Sequence, residues 1–264
     1  MAKLRQRLER ACKTTTIRCL HVNLALKRTL SRRAHCVFVA AMPKSASTFL
    51  ATCLAETTGF ARFFLGQNYL AEQDLYMPRL IDAWSMNIVC QQHVRAVRPN
   101  LELMAEFSVR PVVLVRDIGD ALVSLREHLD GESPTTPVFD ADASFLGRDR
   151  TAQLNALVDI VGPWYVGFYA GWAQANIDKL WLSYDEVVAD PSVAVGRVLD
   201  HHAIERTPDE IARATDRARG GQVRLNVGRS GRGHEHLTTD QRDRLRCLAR
   251  HFPDVDFAPV GLGD

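Results

Sequence analysis

The run Cys36-Val37-Phe38-Val39-Ala40-Ala41-Met42 constrains this chain more than any other segment. Seven consecutive apolar residues are too few for a self-contained buried helix, and they lack the polar alternation of a strand with one wet face. The run therefore reads as a strand covered on both sides, as in a parallel sheet between helix layers. After a turn, Phe49, Leu50, Cys53, Leu54 and Thr57 share one helical face. Further strands are expected at 87–91, 112–115 and 180–183, separated by helical patterns such as 120–129 and 162–176. This alternation predicts an α/β fold with a central parallel β-sheet flanked by helices.

Composition agrees with a globular chain. With 264 residues, 46% hydrophobic and 24% charged, disordered, collagen-like and disulfide-scaffold classes are excluded. The six cysteines are scattered, without a C-x-x-C pair or histidines at zinc-site spacing, which predicts reduced thiols, a cytoplasmic location and no metal. The net charge of +2 conceals an asymmetry. Residues 1–33 hold ten Lys/Arg against Glu9 alone, so the remainder carries −7. We read 1–33 as a basic N-terminal extension and 34–264 as one domain. The extension is either a solvated helix packed on that domain or a contact for an anionic surface or partner.

Arg18, His21 and Asn23 interrupt the apolar stretch 17–26, which excludes a secretory signal. The uncharged stretch 160–177 contains Gly162, Pro163, Gly167, Gly171, Gln174 and Asn176, and so reads as a buried helix. Helix starts are marked by Asp190-Pro191, by Thr207 with Glu210, and by Thr238 with Gln241. Residues 130–150, rich in Ser, Thr, Pro and Asp, read as a long surface loop of the kind that carries function.

Two constellations carry chemistry. Pro43-Lys44-Ser45-Ala46-Ser47-Thr48-Phe49 joins the first strand to its helix, where backbone N–H groups, a lysine and hydroxyls form a phosphate cradle. It is not a Walker A loop, since Phe38 and Pro43 stand where that motif has glycines. In the second, Arg116 follows the strand 112–115 and points into the crevice where α/β sheets bind ligands, with Ser124 two turns into the next helix. Glu106, Glu127 and His128 fit solvated helix faces equally well, and His234-Glu235-His236 lacks a third metal ligand.

Together these motifs resemble the sulfotransferase family that uses 3′-phosphoadenosine 5′-phosphosulfate (PAPS). The family's 5′-phosphosulfate loop reads like PKSGTTW and here is PKSASTF; its 3′-phosphate Arg and Ser stand eight apart, as Arg116 and Ser124 do. A family catalytic histidine precedes that Arg by a little over twenty residues, and His93 precedes Arg116 by 23. Tyr184-Asp185-Glu186-Val187 with Asp190-Pro191 is similar to Y-E-D-L…D-P, and Gly228-Arg229-Ser230-Gly231 with His236-Leu237-Thr238 to R-K-G-x-x-G…F-T. Three departures stand out: Ala46 replaces a glycine, Phe49 replaces a tryptophan, and Asn226-Val227 replace the R-K pair.

The resemblance implies a P-loop-like sulfotransferase fold and transfer of a sulfuryl group from PAPS to a hydroxyl or amine of a small-molecule or carbohydrate acceptor, without a metal. His93 would be the base and Lys44 the cation on the leaving oxygen. Lys44, Ser47 and Thr48 would hold the 5′-phosphate, Arg116, Ser124 and Arg229, or Arg224 in its place, the 3′-phosphate, and Ser45, Ala46, Phe49, Tyr184 and Gly228 would complete the cosubstrate site, Phe49 against the adenine. Segments 63–82 and 130–150 would wall the acceptor. No nucleic-acid partner is expected. Two other readings are a P-loop kinase of a small metabolite, which needs Walker glycines and a Mg²⁺-binding acid, and a non-catalytic nucleotide or polyanion-binding module.

Overall fold

The computed structural model describes residues 2–68, 72–220 and 229–263, with residues 2–14 and 17 given by backbone alone. In chain order the elements are α1 (Ala2–Leu30), β1 (Cys36–Ala41), α2 (Ser47–Thr58), β2 (Ala61–Arg62), α3 (Met77–Ala83), β3 (Ile88–Gln92) and α4 (Arg98–Glu106). Then follow β4 (Val112–Val115), α5 (Ile118–Gly131), β5 (Thr135–Thr136), β6 (Phe139–Asp140), α6 (Ala143–Leu146), α7 (Arg150–Ile160) and α8 (Gly162–Gln174). The chain closes with β7 (Leu180–Ser183), α9 (Tyr184–Ala189), α10 (Pro191–His201), α11 (Pro208–Gly220), α12 (Arg232–His236) and α13 (Thr239–Ala249).

Strand β1 is buried on both faces because its neighbours supply two apolar layers. Val37, Val39 and Ala41 pack with Phe49, Leu50 and Leu54 of α2 and Val195 and Val198 of α10. Phe38, Ala40 and Met42 face the opposite layer, with Leu122 of α5 and Tyr165 and Phe168 of α8. Phe38 has no exposure, and burying such a side chain contributes roughly 1.5–3 kcal/mol. The sheet is parallel, in the order β2-β3-β1-β4-β7. From β1 the chain moves to β3 on one side and then returns to β4 on the other. This reversal is the topological switch point, outside whose carboxyl ends α/β sheets bind their ligands.

Strands 112–115 and 180–183 stand where the sequence places them, and the capping boxes of Thr207 with Glu210 and Thr238 with Gln241 form. Asp190 caps α10 by accepting the Ser192 and Val193 amides. The stretch 162–174 is a buried helix, and among the described residues no helix is long and apolar enough to cross a membrane. The segment expected to be loop at 130–150 instead carries the two-residue hairpin β5-β6 and α6. The helix is capped by Asp142, which accepts the Phe145 amide, and Phe145 fills the core beneath.

Candidate active site

The cavity at the switch point has a volume of about 230 Å³ and takes most of its lining from the ends of adjacent strands of the sheet. Lys44, Ala46, Ser47, Thr48 and Phe49 reach it from the β1-α2 turn, His93 from the end of β3, Arg116 and Ser124 from β4 and α5, and Tyr184 from the start of α9. Of the residues expected from the sequence to catalyse or to hold the cosubstrate, these nine converge. The turn itself is bent by left-handed backbone at Lys44 (φ 65°) and Ala46 (φ 64°). This conformation costs an L-residue roughly 1–2 kcal/mol, which explains why a glycine suits position 46. Ala46 caps α2 without a side-chain bond, so the N–H groups of the first turn are left for a ligand.

Ser45 is placed differently. Its hydroxyl is buried and donates to the Met42 carbonyl at 2.6 Å, stiffening the turn instead of facing the cavity. Beneath the turn the Tyr165 hydroxyl donates to the Pro43 carbonyl at 3.0 Å. Burial lowers the Lys44 ammonium, a shift opposed by the Glu132 charge.

Arg116 is 6% exposed and holds three elements together. Its Nη1 donates to the Lys44 carbonyl at 2.9 Å, its Nη2 donates to the Arg229 carbonyl at 3.1 Å, and its guanidinium carbon lies 3.8 Å over the Tyr184 ring. Nε is a buried donor without a partner. An unmatched buried donor on a guanidinium that lines the cavity fits an anionic phosphate group. The side chain of Arg229, by contrast, pairs with Glu235 and is largely exposed, so this residue gives the site its backbone carbonyl. Gly228, Arg224 and the Asn226-Val227 pair lie outside the described residues.

Asp120, which sequence reasoning passed over, anchors the segment above Arg116. Its buried carboxylate accepts the Gly231 amide at 2.9 Å and the Gly233 amide at 2.6 Å, and lies 3.6 Å from Arg116 Nη2. Glu127 pairs with Arg232 on the same segment, while His128 faces the cavity.

His93 is buried at the end of β3, where Nδ1 lies 2.8 Å from the Ala41 carbonyl and Nε2 lies 3.6 Å from Glu72 Oε2. Burial lowers the imidazole to about 4 and raises the Glu72 carboxyl to about 7. Glu72 is a second residue that the sequence did not reveal. Its neighbour Gln73 donates to the Pro137 carbonyl at 2.8 Å and accepts from Trp164 Nε1 at 2.8 Å, while buried Asn100 donates to the Gln73 carbonyl and accepts the Leu75 amide. Thr136 and Pro137 line the cavity, so segments 63–82 and 130–150 meet beside His93. Among the described residues no three His, Cys, Asp or Glu side chains gather to hold a metal ion.

No family profile and no curated protein matches the chain. Solved structures do. Mouse sulfotransferase SULT7A1 complexed with PAP, adenosine 3′,5′-bisphosphate, superposes with a TM-score of 0.64 at 13% identity, over 90% of this chain and 92% of its own. The chain has the sulfotransferase fold. Retinol dehydratase in complex with androsterone and inactive cofactor PAP follows at 0.53 and 12%, covering 89% of this chain and 85% of that one. Sulfotransferase STF1 from Mycobacterium tuberculosis matches at 0.50 and 12%, covering 85% and 77%. On this sulfotransferase scaffold the Lys44 turn, Arg116 and His93 surround one crevice.

Proposed function

We propose that this protein transfers a sulfuryl group from PAPS to a hydroxyl or amine of a small-molecule or carbohydrate acceptor. The observation that carries the reading is the convergence of Lys44, Arg116 and His93 from β1, β4 and β3 on one cavity. When bound, PAPS supplies the electrophilic sulfuryl group. The α2 first-turn amides and Lys44 hold its 5′-phosphate, with the Ser47 and Thr48 hydroxyls beside them. Arg116 and Ser124 hold the 3′-phosphate, and the Phe49 ring borders the base. A neutral His93 takes the acceptor's proton at Nε2, and Lys44 offsets charge on the leaving oxygen.

The fold supports a small-molecule acceptor by analogy, since retinol dehydratase has been solved with androsterone and with retinol. Calorimetric titration with PAP, AMP and ATP·Mg²⁺ tests the cosubstrate site in the wild type, Arg116→Lys and Ser124→Ala. The expected result is tightest binding of PAP, weakened in both variants by about tenfold or more, the loss of one charge-assisted contact. Preference for ATP·Mg²⁺ would overturn the reading in favour of a kinase. Once PAP binding is established, an acceptor screen with His93→Ala as control tests transfer.

A further inference from the structure

The C-terminal half of α1 has an inner and an outer face of opposite character. Inside, Leu24 is 1% exposed and joins the core, Lys27 Nζ donates to the Ile81 carbonyl at 2.9 Å, and Arg28 donates to the Glu106 carbonyl at 2.6 Å beside the Trp84 ring. Outside, Val22, Leu26 and Leu30 are 61%, 55% and 81% exposed. They account for three of the eight large apolar side chains that stand exposed among the described residues. Spaced i, i+4, i+8, they form one stripe along the helix. Exposed Cys19 and Thr15 fall in the same register, and in the sequence the spacing continues back through Ala11, Leu8 and Leu4.

We propose that α1 lies in the headgroup layer of an anionic lipid bilayer, its stripe against the acyl boundary and its cations other than Lys27 and Arg28 on the lipid phosphates. Two observations select this occupant. The stripe needs an apolar phase, and residues 1–33 carry ten Lys/Arg against one acid. A second copy of the helix would answer the stripe while bringing eight more Lys/Arg onto it. Nucleic acid would answer the cations and leave the stripe wet. At 29 residues the helix spans about 44 Å, and it is too charged to cross a membrane, so it lies along the surface. The inner-face bonds to Ile81 and Glu106 fix the domain to that surface through α3 and the end of α4.

Co-sedimentation of the full chain with vesicles tests this, comparing phosphatidylcholine alone with a mixture containing about one-third phosphatidylglycerol. Binding to the anionic vesicles only, weakened by salt, is expected. Combining Val22→Ser, Leu26→Ser and Leu30→Ser lowers the partition coefficient by about tenfold or more while leaving the melting temperature nearly unchanged, because these side chains are more than half exposed. Arg18→Glu with Arg32→Glu lowers it as well, with the stripe intact. Any of three results would overturn the proposal: undiminished vesicle binding by the triple variant, a solution dimer that the triple variant abolishes, or RNA binding that outcompetes the vesicles.

Discussion

The Nδ1 nitrogen of His93 lies 2.8 Å from the carbonyl oxygen of Ala41. A carbonyl only accepts, so Nδ1 holds the proton and Nε2 keeps its lone pair toward Glu72. The imidazole is neutral in the fold because burial lowers it to about 4, whereas on unfolding it returns to its ordinary 6.5. Between those values the unfolded chain binds the extra proton, so stability falls as pH is lowered. From pH 8 to pH 5 this one residue costs about 2 kcal/mol, an increment that His93→Gln removes from urea unfolding curves. Equal pH slopes in wild type and variant would mean that the imidazole titrates normally in the fold.

Glu72 sets a second pH dependence. Its carboxyl, raised by burial to about 7, lies 3.6 Å from His93 Nε2. Below that pH it is protonated and presents an O–H to Nε2; above it, its charge favours the imidazolium that the proposed proton transfer would form. The proposed sulfuryl transfer is expected to rise about tenfold between pH 6 and pH 8, following carboxylate ionisation. Glu72→Gln flattens this limb, and a profile unchanged by the substitution would assign the limb to another group.

What the sequence made legible was local. The apolar run of β1 and the VVLV strand need only their own residues to declare themselves, and the helix caps are written in adjacent side chains. Edge strand β2, two exposed residues paired with Ile88 and Val89, exists because β3 offers it a ladder. Glu72 reaches His93 only because Asn100, Trp164 and Pro137 fix its loop. Asp120 was invisible as an anchor because its partners are backbone amides, which carry no side-chain signal. Ser45 had the right chemistry for a phosphate ligand, but the geometry of the turn directs its hydroxyl to Met42.

Position 46 offers a direct test of the turn. Ala46 sits at φ 64°, ψ 22°, where its Cβ is strained and a glycine is not. Ala46→Gly relieves that strain but loosens the unfolded chain, for a net gain of about 0.5–1 kcal/mol in chemical denaturation. PAP affinity should hold or improve, since the amides of α2 keep their direction. Ala46→Val, branched at Cβ in the same conformation, is expected to destabilise by about 2 kcal/mol or more. Equal stability of the three proteins would mean that the turn does not hold left-handed backbone at this position.

The contact between α12 and α5 has no room for a methyl group. A Cβ on Gly233 would lie 2.6 Å from the Gly119 carbonyl carbon and 2.7 Å from the Asp120 nitrogen, backbone atoms that cannot rotate away. Gly233→Ala must therefore lift α12 from α5, stretching the Gly231 and Gly233 bonds to Asp120 and drawing the Arg229 carbonyl from Arg116. We expect a loss of about 2–3 kcal/mol in urea unfolding, together with PAP binding weakened by about tenfold or more. Gly196→Ala is the matched control. It lies inside α10 where a Cβ meets nothing within 4 Å, and is expected to stabilise by about 0.5–1 kcal/mol. If Gly233→Ala instead binds PAP as the wild type does, the anchoring of α12 by Asp120 is not what holds Arg116 in place for the ligand.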